Sequence, residues 1–308
     1  MCSPFAFLPS ELILSVFALA ATHRPTACAL SLVSTWVHTH VEPVLYHTVS
    51  LPSTKSLTAF LATLSAKPDK FAKERVKHLS IMALGPIDSI EEVLSRCAGV
   101  TSLACGFSVP SYVHCARGVS AVDSDYASHY KLAVSPTEQH LLGRLTCRDG
   151  LDMSIISPTV THLRIQITSE TTPESLTHLL DLQNLTNLAI IYRNDLVGGA
   201  QHIRALLDPV LGMGRLKVLL LQVAGTGNEK HLQQIDDWNT TVVTNADTSS
   251  LLNPARVPDW RIVAERAPRI PLRQWQDGNV WDNAEGTVLE REKRGGFVVP
   301  RATLGTRT

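Results

Sequence analysis

Apolar positions recur along the chain in two rhythms, and the first belongs to helices. Leu12, Ile13, Val16, Phe17 and Ala20 fall at the spacing that gathers side chains on one side of a helix. Leu8-Pro9-Ser10-Glu11 precedes that run. Proline suits a first helical turn, where its missing N–H has no partner, and Glu11 complements the positive end of the helix dipole. Thr22-His23-Arg24-Pro25 interrupts the pattern, because proline disfavours the helical conformation in the residue before it. A second run (Ala27, Leu30, Leu32, Val33) and a third (Trp36, Val37, Val41) follow, with Glu42-Pro43 as the next break before Leu45-Tyr46. Three short helices in about forty residues cannot bury all their apolar faces among themselves, so this module wants a partner surface.

The second rhythm alternates strand and helix. His47 to Leu51 reads as a short strand, and Ser53 or Ser56 caps a helix whose face is Leu57, Phe60, Leu61 and Leu64, ended by Lys67-Pro68. The cluster Lys67, Lys70, Lys73, Arg75 and Lys77 reads as a solvated linker. From Val76 a motif recurs: apolar, two residues, Leu, one residue, apolar. Its copies are Val76/Leu79/Ile81, Val100/Leu103/Cys105, Leu142/Leu145/Cys147, Val160/Leu163/Ile165, Leu185/Leu188/Ile190 and Leu216/Leu219/Leu221. Between them lie helical faces: Ile87, Ile90, Leu94 and Cys97; Leu176, Leu179 and Leu180 behind a Thr172-Pro173-Glu174 start; and Ile203, Leu206, Leu207 and Val210. Such alternation predicts parallel strands joined by crossover helices. Phe107 to Gln139 has no clean period. Asn228 to Trp238 reads as helix, Thr240 to Leu252 as strand and turn, and Trp260 to Ala264 as a last strand. Beyond Pro271 the chain turns polar, with Trp281, Ala284, Val288 and Leu289 making an amphipathic turn or two and fraying expected from Lys293.

The order of residues from Leu8 to Tyr46 resembles an F-box: an LP pair, Glu-Leu, Val16-Phe17, a Leu-Val leading to Trp36, then a proline and Leu45-Tyr46. It departs from the family at Ser34-Thr35, where Cys-Lys is common. The resemblance implies docking on a Skp-type adaptor and, through it, on the cullin scaffold of a ubiquitin ligase, with Leu8, Pro9, Leu12, Ile13, Phe17, Leu32 and Trp36 lining the adaptor interface. The recurring motif resembles the core of leucine-rich repeats, and two separations between successive central leucines fall in that family's range of roughly 20–29 residues. The asparagine that ties successive turns together in that family is missing, which predicts an irregular arc. The expected fold is therefore mixed α/β: a three-helix module over residues 1–50, a divergent strand–helix repeat domain over 51–270, and a polar tail, partly helical or disordered, over 271–308.

Composition narrows the function. Of the 308 residues 44% are hydrophobic and 18% charged, which describes a globular chain. The formal net charge is +0, so no bulk field draws the chain to nucleic acid or to an acidic membrane. No apolar run has transmembrane length, and the six cysteines lack regular spacing, consistent with reduced thiols in the cytoplasm or nucleus. Gly225-Thr226-Gly227 reads as a tight turn, since Lys230 stands where a dinucleotide loop needs its third glycine. Cys97, Cys105, His114 and Cys115 lack the ligand spacing of zinc knuckles, and two of them lie on apolar faces. No nucleophile elbow or paired-histidine zinc motif occurs. The expectation is a substrate receptor without catalytic chemistry, cofactor or metal, presenting an unknown protein target; the alternative is a repeat scaffold with no ligase attached, its N-terminal helices only sealing the core. Strand alternation puts Arg164, Gln166, Ile191, Leu220 and Gln222 on the outward face as the target-binding patch, unless the segment around Trp275 and Trp281 covers them.

Overall fold

Pro9 starts the first helix from the N-cap position rather than from the first turn, its carbonyl accepting from the Leu12 and Ile13 N–H groups. In the computed structural model, which describes residues 8–107, 109, 112, 133–142, 156–169, 171–193, 200–225, 229–235 and 260–293, three helices follow. They are α1 (Ser10–Ala21), α2 (Arg24–Ser31, with Pro25 in its first turn) and α3 (Thr35–His47). Ser34 caps α3 by accepting from the Val37 N–H at 3.2 Å. Ala21, Ala27, Val37 and Val41 are the buried residues of this module, a core of small side chains. The break expected at Glu42-Pro43 does not occur: α3 runs through Pro43 to His47. Packing overrides the local cost of a proline. Val41 is buried before it, Glu42 meets Lys67 at 2.5 Å, and Tyr46 stacks edge-on against Phe71 with ring centroids 5.0 Å apart.

The chain divides into two compact units, and the helical module belongs to the first, which takes Met1–Leu145 and Ser154–Val160. The division thus falls within the span 51–270 and not at its two ends. There is no linker after α3: β1 (Thr48–Leu51) begins at the next residue. Ser53 and Ser56 together form a capping box for α4 (Thr54–Ser65). The basic cluster is no linker, since α5 (Lys70–Arg75) runs through it and buries Phe71 and Ala72. β2 (His78–Ile81), α6 (Ile87–Arg96), β3 (Ser102–Cys105) and β4 (Glu138–Leu141) complete the described elements. The four strands pair in parallel and in chain order, with Val49, Leu79, Leu103 and Gln139 in register. All but Gln139 belong to one apolar core with Leu57, Phe60, Leu64, Ile90, Val93 and Leu94.

Gln139 corrects one repeat. β4 lies just before the Leu142/Leu145/Cys147 copy, and Gln139 takes the slot that leucine holds in β2 and β3. A buried amide is tolerated there because its Oε1 accepts from the Ser157 N–H at 3.0 Å. Leu145 and Cys147 lie outside the described residues, as do His114, Cys115, Gly227, most of Phe107–Gln139 and all of Thr240–Leu252.

The second unit takes Thr146–Met153 and everything from Thr161. Its strands are β5 (His162–Gln166), β6 (Asn187–Arg193), β7 (Val218–Ala224) and β8 (Ile262–Arg266), again parallel and in chain order. Leu163, Leu188 and Leu219 stand in register and are all fully buried, as the repeat pattern predicts. The crossovers carry α7 (Pro173–Thr177), capped by Thr172 and continued by a 3-10 turn over His178–Asp181, and α8 (Ala200–Leu211). Leu176 and Leu179 are buried but Leu180 is exposed, the tighter turn having rotated it outward. After β8 come α9 (Pro271–Gln276) and α10 (Asp282–Lys293), the helical part of the expected polar tail, and Trp275, Val280, Trp281, Ala284 and Val288 are buried there.

Candidate functional site

Helix α1 is apolar on two sides. Phe17, partly buried, and Ala21, fully buried, pack in the core shared with the other helices, and Ile13 is partly buried. Leu12, Val16 and Leu19 form a second stripe, and these are exposed, Leu19 at 74%. The sequence pattern puts Leu12 and Ile13, and Val16 and Phe17, on one face; the small size of the module's core, where Ala21 and Ala27 do the packing, splits them. Leu32 and Val33, at the turn from α2 to α3, are 87% and 67% exposed. Trp36 in the first turn of α3 is also exposed; its ring meets Phe17 edge-on at 6.1 Å and His40 at 4.8 Å.

Of the seven expected adaptor-binding residues, Leu8, Pro9, Leu12, Leu32 and Trp36 are therefore exposed, while Ile13 and Phe17 are half-buried beneath them. Sequence reasoning left out Val16, Leu19 and Val33, which are just as open; their signal was the apolar run itself. Among the described residues, seven of the twelve exposed large apolar side chains lie between Leu8 and Trp36. That stretch carries only two formal charges, Glu11 and Arg24, and the Arg24 guanidinium is turned to the Thr48 carbonyl at 3.1 Å. The surface is oil with little charge, composed like the core of a protein–protein interface.

The outward strand residues behave differently. Arg164, Ile191, Leu220 and Gln222 are buried and Gln166 is half-buried, so they form no open target-binding patch. The segment around Trp275 and Trp281 reaches Arg164 and Gln222 directly. Arg164, with no exposed surface, donates from Nε and Nη2 to Gln222 Oε1 (2.9 and 2.5 Å), from Nη2 to Gln274 Oε1 (2.8 Å) and from Nη1 to the Pro271 carbonyl (3.2 Å). Gln222 Nε2 donates onward to Glu265 Oε1 at 2.7 Å and to Gln274 Oε1 at 3.2 Å. Asn187 donates to Glu285 Oε1 at 2.7 Å, and Asn283 to Glu265 Oε2 at 3.1 Å. The sheet of this unit is thus a two-sided core, the ordinary condition of parallel strands.

Potentially reactive groups are placed structurally. Burial pushes the Cys97 and Cys105 thiols up to about 12, which leaves them as small hydrophobes in the first unit's core. His78 is held below the usual imidazole value by burial and then by His47, whose ring lies 4.8 Å away, against an opposing pull from Glu138. Burial also lowers His231, whose Nε2 stands 2.9 Å from the Tyr192 hydroxyl. Gly225 has φ 116°, the left-handed region where glycine turns a chain tightly after β7. Among the described residues no group of three histidine, cysteine or acidic side chains is arranged to hold a metal, and no helix is long and apolar enough to cross a membrane.

No family model matches the chain, and no curated protein matches it.

Proposed function

We propose that this chain is a substrate-receptor subunit of a cullin–RING (SCF-type) ubiquitin ligase. Its N-terminal helices dock on a Skp-type adaptor, and its strand–helix units hold a protein target for ubiquitin transfer. The receptor performs no chemistry; it fixes the target's position relative to the ligase. The cytoplasm or nucleus, where free thiols such as Cys97 and Cys105 stay reduced, is the compartment this role needs.

The observation that carries the reading is the exposure of Leu8, Pro9, Leu12, Leu32 and Trp36. A module that merely sealed the end of a repeat core would bury these residues. Leaving them in water is costly unless a partner covers them, and the F-box-like order of the same residues names an adaptor groove as that partner. The scaffold alternative has one feature in its favour, the direct run of α3 into β1, which suits a cap as well as a docking module.

Pro9→Ala combined with Leu12→Ala tests the proposal. Both side chains are exposed, so the double variant keeps its fold and thermal midpoint. It should lose capture of a purified Skp-type adaptor in a pull-down. Undiminished capture, or no capture by the unaltered chain, overturns the reading.

A further inference from the structure

The two faces of the second unit's sheet are covered in chemically different ways. Leu163, Ile165, Leu188, Ile190, Leu219 and Leu221 form one face, and all are buried at 0–1%. The right-handed crossover rule puts α7 and α8 together on one side of the strands, and these helices contribute Leu176, Ile203, Leu206, Leu207 and Val210, all buried. That contact is hydrocarbon against hydrocarbon except at Tyr192, whose hydroxyl meets His231 Nε2 at 2.9 Å. The opposite face, under α9 and α10, presents Arg164 and Gln222 to Gln274 and the Pro271 carbonyl, and Asn187 to Glu285. Five apolar residues (Trp275, Val280, Trp281, Ala284 and Val288) complete that cover.

Hydrogen bonds of this kind contribute little net free energy, because water replaces them when the surfaces part. Apolar burial has no such substitute and scales with area. The polar side is therefore the weaker seam. Its cover follows β8 through the short segment 267–270, where Arg269 and Ile270 are exposed, and the Arg291 guanidinium of α10 donates to the Trp260 and Ile262 carbonyls. Parting there breaks none of the pairings among β5, β6, β7 and β8.

We infer that α9 and α10 form a strap that lifts from the sheet as a unit, ahead of global unfolding, and bares the face made by Arg164, Ile191, Leu220 and Gln222. That face has apolar side chains at its centre and a guanidinium with an amide beside them, a composition suited to a protein partner. The lifting stands independently of the receptor reading; use of the bared face for a target rests on that reading. On that reading the strap is an autoinhibitory contact.

Neighbouring residues of one strand provide the test. Ala189 and Leu188 are both fully buried in β6 but point to opposite faces, Ala189 to the one that carries Arg164. With a thiol-specific reagent under native conditions, Ala189→Cys should label at least about ten-fold faster than Leu188→Cys, because local opening is cheaper than global unfolding. Adding Gln274→Ala should speed the first labelling and leave the second unchanged. Should either cysteine variant fold poorly, native-state hydrogen exchange on the unaltered chain decides: amides of 282–293 should open with weak denaturant dependence while those of β6 and β7 stay closed. Equal labelling rates, or exchange of α10 only together with β6 and β7, overturns the inference. Adaptor capture plays no part in these measurements, so their failure is separable from failure of the receptor proposal.

Discussion

Gly99 is placed where a side chain has no room. A Cβ built there would lie 1.9 Å from the Lys73 carbonyl oxygen and 2.9 Å from its carbon, backbone atoms that cannot swing aside. Gly99→Ala must push α5 away from the turn before β3, and overpacking of that kind costs about 1–3 kcal/mol. Denaturant unfolding should show the loss in the midpoint with the slope unchanged; an unshifted midpoint would show that α5 yields freely. Arg164 makes the opposite point about reading residues singly. Its charge and the polarity of Gln222 suggest water, yet each is satisfied by the other across 58 positions of sequence. Local pattern cannot see such a pairing. Gln139 escaped notice for the same reason: a glutamine in a leucine slot breaks the motif, and the N–H that satisfies it comes from Ser157, 18 positions away.

Elements were easier to read than faces. The caps at Ser34, Ser53 and Thr172 were local chemistry, though Ser34 was not singled out, and the helix faces of α4, α6 and α8 followed from spacing. The equivalence of Leu163, Leu188 and Leu219 followed from the repeat motif. Truncating any of the three to alanine should cost roughly 2–5 kcal/mol, the range for a fully buried leucine. Chemical denaturation measures it, and a cost near zero at any one of them would mean that the strand re-registers. Alternation left open whether the second face was wet or dry. Asn187-Leu-Ala-Ile-Ile-Tyr-Arg193 and Val218-Leu-Leu-Leu-Gln-Val-Ala224 held the signal, since nearly continuous apolar runs mark parallel strands covered on both sides. The continuity of α3 through Pro43 is invisible to local pattern, because it rests on the packing of Val41 and Tyr46 on either side.

At the scale of the whole molecule, His78 in the first unit and His231 in the second share one tendency: both are harder to protonate folded than unfolded. The unfolded chain therefore binds more protons as the pH drops through the ordinary imidazole value of about 6.5, and stability falls from there until the folded values are passed. Above that pH the contribution is complete. Thermal midpoints should decline between about pH 7.5 and pH 5.5, and His78→Gln should flatten part of that slope; an unchanged slope in the variant would remove His78 from the account. The boundary between units near residues 145–160 was not legible, because no shift in composition marks it. The order of the strands carries a different consequence, one for biosynthesis. Within each unit every strand pairs with the one made just before it, so folding can keep pace with the growing chain and no strand waits long for a neighbour. The exception is the cover of the second sheet. Residues 271–293 are translated after all four of its strands, so Ile191 and Leu220 stay bare on every nascent chain until those helices leave the ribosome. A stall or frameshift between β8 and α9 would release chains with paired strands and that face uncovered, a form for quality control to recognise.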